Sequence, residues 1–97
     1  MPRYTYKQGR NLTYIYYYTK VHGRSPAESE MQHYFNVSPP SQHQMILTLE
    51  RNRLITRISG MPRSIRLNLT RPELTELLSS LLLETGEDGM TKKSAAE

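Results

Sequence analysis

Two helix starts follow one another closely in the middle of the chain, and their spacing limits what it can fold into. Ser25-Pro26-Ala27-Glu28 reads as a capping box, with Ser25 as the cap, Pro26 at the first helical position and Glu28 three residues after the cap. Ser38-Pro39 repeats the hydroxyl cap and the proline. Met31, Tyr34 and Phe35 carry the first of these helices to Asn36, a residue that tolerates the left-handed backbone of a tight turn. Val37 is expected to plug into the core, and Met45, Ile46 and Leu49 recur at the separations of a helix face in the second. Two short helices joined by a few residues around Asn36 have the spacing of a helix-turn-helix. The first exposed turns of the second helix hold Pro40, Ser41, His43 and Gln44, small or hydrogen-bonding side chains suited to reading a surface and poor at building a core.

The flanking patterns extend this unit on both sides. From about Gln8 to Val21, Leu12, Ile15 and Thr19 lie at helical spacing with Tyr14, Tyr16, Tyr17 and Tyr18 wrapped round them. Leu12, Ile15 and one or two tyrosines should face inward, leaving Tyr16 and Tyr17 as exposed amphipathic rings. Gly23 suits the left-handed residue beyond the last turn. The helix that Ser38 caps should end near Asn52, because Leu54 to Ile58 turns β-branched and alternating. A loop, Ser59-Gly60-Met61-Pro62-Arg63, leads to a second alternating run, Ser64 to Leu69. There Ile65, Leu67 and Leu69 share one face while Arg66 and Asn68 take the other. Thr70-Arg71-Pro72-Glu73 opens a last helix with Leu74, Leu77, Leu78, Leu81 and Leu82 on one stripe. Beyond Gly86 there is no periodicity, and disorder is expected.

The fold class is therefore mainly α with a small β-hairpin (α+β): a winged helix-turn-helix of three helices and a two-stranded wing, with an extra C-terminal helix. The expected organisation is a domain over 1–71, a leucine-rich helix over 72–85 and a loose tail over 86–97.

Charge divides along the same line. Residues 1 to 71 hold eleven Lys/Arg against Glu28, Glu30 and Glu50, a net of +8, whereas residues 72 to 97 hold two lysines against six acids, a net of −4. A concentrated positive field of that kind points toward a polyanion. The chain has no cysteine, which excludes disulfides, thiolate zinc sites and a thiol nucleophile. His22, His33 and His43 are dispersed over different elements, so no metal is assigned. No phosphate-cradling Gly-rich loop and no carboxylate pair can be assembled, so neither an enzyme nor a cofactor is expected. No run of roughly 18 apolar residues is present, and a cytoplasmic protein with no membrane partner is expected.

From Gln8 to Leu67 the chain resembles the DNA-binding domain of LexA-type repressors. The likeness rests on Gln8, Leu12 and Ile15, on Gly23 to Pro26, on Glu30-Met31 and on Ser38-Pro39. It continues through Leu49 and Leu54-Ile55 to Ser59-Gly60 followed by Arg63-Ser64-Ile65-Arg66-Leu67. The family usually has a small residue where Gln32 stands and Gly where Arg53 stands. The resemblance implies double-stranded DNA binding, with helix 38–52 in the major groove and the wing, 59–64, on the backbone. By position it implies base-facing roles for Ser38, Pro40, Ser41, His43 and Gln44, and it implies phosphate contacts from Arg51, Arg63 and Arg66. The family's self-cleaving peptidase has no counterpart here, so autoproteolysis is not expected. Its dimerisation surface is missing too, which leaves Leu74, Leu77, Leu78 and Leu81 as the expected homodimer contact, the alternative being that this helix folds back on its own domain. The main alternative is a protein-interaction module on the same fold, binding an acidic partner through the basic face. A weaker one is an RNA or nucleoid-type binder without sequence preference.

Overall fold

The structure is a computed structural model that describes residues 3–80. It is mainly helical with one small two-stranded antiparallel sheet. The stripe positions Leu81 and Leu82 and the tail expected to be disordered lie outside the described residues.

Helix α1, Tyr6–His22, begins two residues earlier than its apolar pattern suggests. Thr5 caps it by accepting the Gln8 N–H at 3.1 Å, and Gln8 Oε1 accepts the Thr5 N–H at 3.0 Å, a complete reciprocal box. Gly23 ends it at φ 73°, and Lys20 and His22 complement the carbonyl end of the last turn. Leu12 and Ile15 enter the core, Tyr14 packs against it, and Tyr17 is about half exposed, as expected; Tyr16, expected outside with it, is partly covered.

Helix α2, Glu28–Phe35, starts two residues later than the Ser25 capping box predicts. The cap is Ala27, and only half a box exists: Glu30 Oε1 accepts the Ala27 N–H at 2.9 Å, and alanine has no side chain to answer. Ser25 is held in the preceding loop because its carbonyl accepts from Arg63 at 3.2 Å. Asn36 closes α2 in the left-handed region at φ 56°. Val37 does not plug into the core; it is 38% exposed.

Helix α3, Pro39–Arg51, is capped by the Ser38 hydroxyl, which accepts the Ser41 N–H at 3.3 Å. It stops at Asn52, and the reversal into the sheet passes through Arg53 at φ 62°, where the Leu54 N–H donates to the Leu49 carbonyl at 2.9 Å. Strand β1, Ile55–Thr56, then pairs with β2, Arg66–Leu67, in the register Ile55 to Leu67 and Thr56 to Arg66. These strands are shorter than the two alternating runs. Ser64 closes the connecting loop by accepting the Ile58 N–H at 2.9 Å and donating to the Met61 carbonyl at 2.8 Å.

A fourth helix, α4, occupies 71–80 of the described residues. Its expected capping box is present: the Thr70 N–H donates to Glu73 at 2.9 Å, and the Glu73 N–H returns to Thr70 Oγ1 at 3.3 Å. The core joins Leu12 and Ile15 of α1, Met31 of α2, Ile46 and Leu49 of α3, Leu54, Ile55 and Ile65 of the hairpin, and Leu77 of α4. Leu77, at 4% exposure, fills this chain's own core and is not available as a homodimer contact; Leu74 packs beside it. No helix of the described residues is long and apolar enough to cross a membrane.

Candidate nucleic-acid interface

Helical geometry sorts the polar residues of α3 by face. Gln42, Ile46 and Leu49 point into the core, so Ser41, Gln44, Thr48 and Arg51, at intervals of three and four, fall on the outer side. Gln42 is the unexpected member: only 2% exposed, it donates from Nε2 to Asn11 Oδ1 at 3.0 Å, and Asn11 donates to the Lys7 carbonyl at 3.1 Å. The bond locks α3 against α1, so three consecutive polar residues, Gln42, His43 and Gln44, divide into a structural one and two accessible ones.

Of the expected base-facing residues, Pro40, Ser41 and Gln44 share the exposed outer stripe. Ser38 is exposed at its head, with its hydroxyl 3.0 Å from that of Ser41. His43 lies on the flank toward α2, where Nδ1 is 3.0 Å from Glu28 Oε1. Thr48, overlooked in the sequence although it is seven positions from Ser41, donates to the Gln44 carbonyl at 2.9 Å and accepts from Arg51 at 3.3 Å. The N-terminus of α3 has little to offer an anion through its backbone. Pro39 and Pro40 have no N–H, and that of Ser41 is used by the cap.

The expected wing contact, Arg63, is turned inward. Its guanidinium meets both Glu30 oxygens at 3.0 and 3.1 Å and reaches the Tyr18 hydroxyl at 3.1 Å. Tyr18 in turn donates to Glu30 at 2.9 Å. Arg63 is therefore a brace for the loop and not a free phosphate contact, because a bidentate carboxylate partner already occupies its donors. These bonds hold the Glu30 carboxyl at about 2, the Arg63 bond being the largest cause and the Ala27 N–H the next. Arg66 points away from the core on β2 and lies with Lys20 of α1 along a cleft of about 650 Å³ between α1 and the hairpin.

Charge pairing sharpens the field. Glu30 pairs with Arg63 and Glu50 with Arg57, each at 3.0 Å, while Glu28 has the His43 ring as a hydrogen-bond partner. Among the described residues, Lys7, Arg10, Lys20, Arg24, Arg51, Arg53, Arg66 and Arg71 enter no salt bridge, and most of the excess positive charge is carried by these exposed side chains. Lys20 and Arg24 were not singled out from the sequence, and Arg53 was noted only for standing where glycine is usual; the excess charge of the body was the only signal for them. Among the described residues no group of three or more His, Asp or Glu is placed to hold a metal ion. Neither a protein-family model nor a curated protein matches the chain.

Proposed function

We propose that the chain is a winged helix-turn-helix protein that binds duplex DNA with some selection among sequences, as a transcriptional regulator. The observation that carries this reading is the outer stripe of α3, where Ser41, Gln44, Thr48 and Arg51 stand on a helix whose opposite side is committed to the core. A helix roughly 10–12 Å across fits a major groove about 12 Å wide. Gln44 can offer an amide to a base edge, Ser41 and Thr48 hydroxyls can meet base or phosphate, and Arg51 ends the stripe with an unpaired cation. Arg66, Arg53 and Lys20 supply phosphate contacts, while Arg63 serves binding indirectly by bracing the loop. The resemblance to LexA-type DNA-binding domains and the excess positive charge of residues 1–71 support the same reading. A dimer remains part of it through Leu78, which is only partly covered.

A second reading has its own observation. The cleft between α1 and the hairpin has Ile58 and Met61 exposed by 57% and 55%, with Lys20 and Arg66 beside them, a surface suited to an acidic, partly apolar peptide. An NMR titration with a short mixed-sequence duplex separates the two. Amide shifts concentrated in 38–53 and in the hairpin are expected for DNA binding. An unchanged spectrum with duplex, together with shifts around Tyr16, Lys20 and Met61 on adding an acidic peptide, would favour the second.

A further inference from the structure

Glu28 and His43 meet where the start of α2 passes the flank of α3. Glu28 Oε1 lies 3.0 Å from His43 Nδ1, with the glutamate side chain 28% and the histidine 52% exposed. A carboxylate has no proton to give, so Nδ1 of the ring carries the hydrogen. In the neutral ring Nε2 is then a lone-pair acceptor, since the partner of one nitrogen decides the role of the other. Across a groove of about 410 Å³ the hairpin presents Arg57 and Arg63. Each is already held by its own glutamate, Glu50 and Glu30, so the contact between Glu28 and His43 is left intact.

Resting on the duplex-DNA reading above, we infer that Glu28 is a positioning residue that fixes His43 as a hydrogen-bond acceptor toward the DNA. His43 then selects a base with an exocyclic amino group over one without. In the major groove adenine presents N6–H and cytosine N4–H, whereas guanine and thymine offer acceptors at the corresponding edge. A lone pair on Nε2 complements the first two and is repelled by the others. Glu28 shapes specificity without touching DNA.

The full chain is tested in two ways. Long-range proton–nitrogen NMR of the free protein at pH 8 is expected to show the Nδ1–H tautomer. That tautomer should be lost in Glu28→Ala and kept in Glu28→Gln, whose amide oxygen still accepts. Selection from a randomised duplex pool is expected to give adenine or cytosine at one position by about tenfold over guanine or thymine. That preference should collapse in His43→Ala and Glu28→Ala and survive in Glu28→Gln. An Nε2–H ring in the wild type overturns the inference whatever DNA does. So does a selected site whose base preferences are the same in Glu28→Ala as in the wild type. Failure of the protein to bind any duplex, with the Nδ1–H tautomer present, overturns the DNA reading on which the base preference rests.

Discussion

Arg63 faces Glu30 nitrogen for oxygen, Nη1 to Oε1 at 3.0 Å and Nη2 to Oε2 at 3.1 Å, and so ties the hairpin loop to the start of α2. The pair sets how the fold responds to acid. Glu30 sits at about 2, below the ordinary 4.5, chiefly through Arg63; Glu73 also sits at about 2, chiefly through Arg3. A depressed carboxylate binds fewer protons in the folded chain than in the unfolded one, so its stabilisation is complete above about 4.5 and disappears as pH falls through about 2. Urea midpoints measured against pH should therefore fall steeply across that window. Glu30→Gln and Glu73→Gln should each flatten the fall and lower the midpoint at pH 7. An acid limb with the wild-type slope in both variants would count against the two pairs.

The buried bond between Gln42 and Asn11 joins residues 31 positions apart. Gln42→Ala leaves a buried acceptor on Asn11 unanswered and should cost about 1–3 kcal/mol. Replacing both, Gln42→Leu with Asn11→Leu, should cost less than the two single changes added together. Chemical denaturation of the four chains gives the coupling directly, and strict additivity would mean that the bond does not join α3 to α1 energetically.

Arg53 is held at φ 62° in the turn after α3, a conformation that costs a side-chain-bearing residue about 1–2 kcal/mol. Glycine relieves that strain but gives back part of the gain as unfolded-chain freedom, so Arg53→Gly should stabilise by up to about 1 kcal/mol. Thermal unfolding measures it; a loss of more than 1 kcal/mol would show that the arginine side chain, and not the backbone, matters at this turn.

Arg66 and Arg63 lie three residues apart and should behave differently. Arg66→Ala should leave stability nearly unchanged and reduce the salt slope of DNA binding by about one. Arg63→Ala should lower the unfolding midpoint, because Glu30 and the Ser25 carbonyl lose their shared donor. The reverse assignment would return Arg63 to the phosphate-contact role expected from its place in the sequence.

Leu77 closes the core from α4. Leu77→Ala should cost about 2–4 kcal/mol, with the loss independent of protein concentration because the cavity forms within one chain. A loss that grows on dilution would instead place the residue between two chains.

What could be read in the sequence was mostly local. Ser38 and Thr70 as caps, Gly23 and Asn36 as left-handed ends, and the inward face of Ile65 and Leu67 all depend on residues within a turn of one another. The cap box at Thr5 and Gln8 was equally local, and the apolar pattern beginning at Gln8 hid it. What could not be read depends on distant partners. Arg63, 33 residues from Glu30, is tied to that glutamate and to the Ser25 carbonyl before α2, so it is not a free cation of the hairpin loop. Gln42 looks like one of a polar row until Asn11 is beside it, and the leucine stripe suits a dimer contact or a helix folded back on its domain until the core is seen to take Leu77. The outer stripe on α3 was legible at Ser41 and Gln44 because an exposed side chain has no distant contact to contradict its spacing.

The central claim is duplex binding by the basic body through α3, and a fluorescence-anisotropy titration of random-sequence duplex at several salt concentrations tests it most directly. Binding that weakens steeply with salt, with a slope reporting several phosphate contacts and reduced by Arg51→Ala and Arg66→Ala, is the predicted result. No binding at low salt would contradict the account.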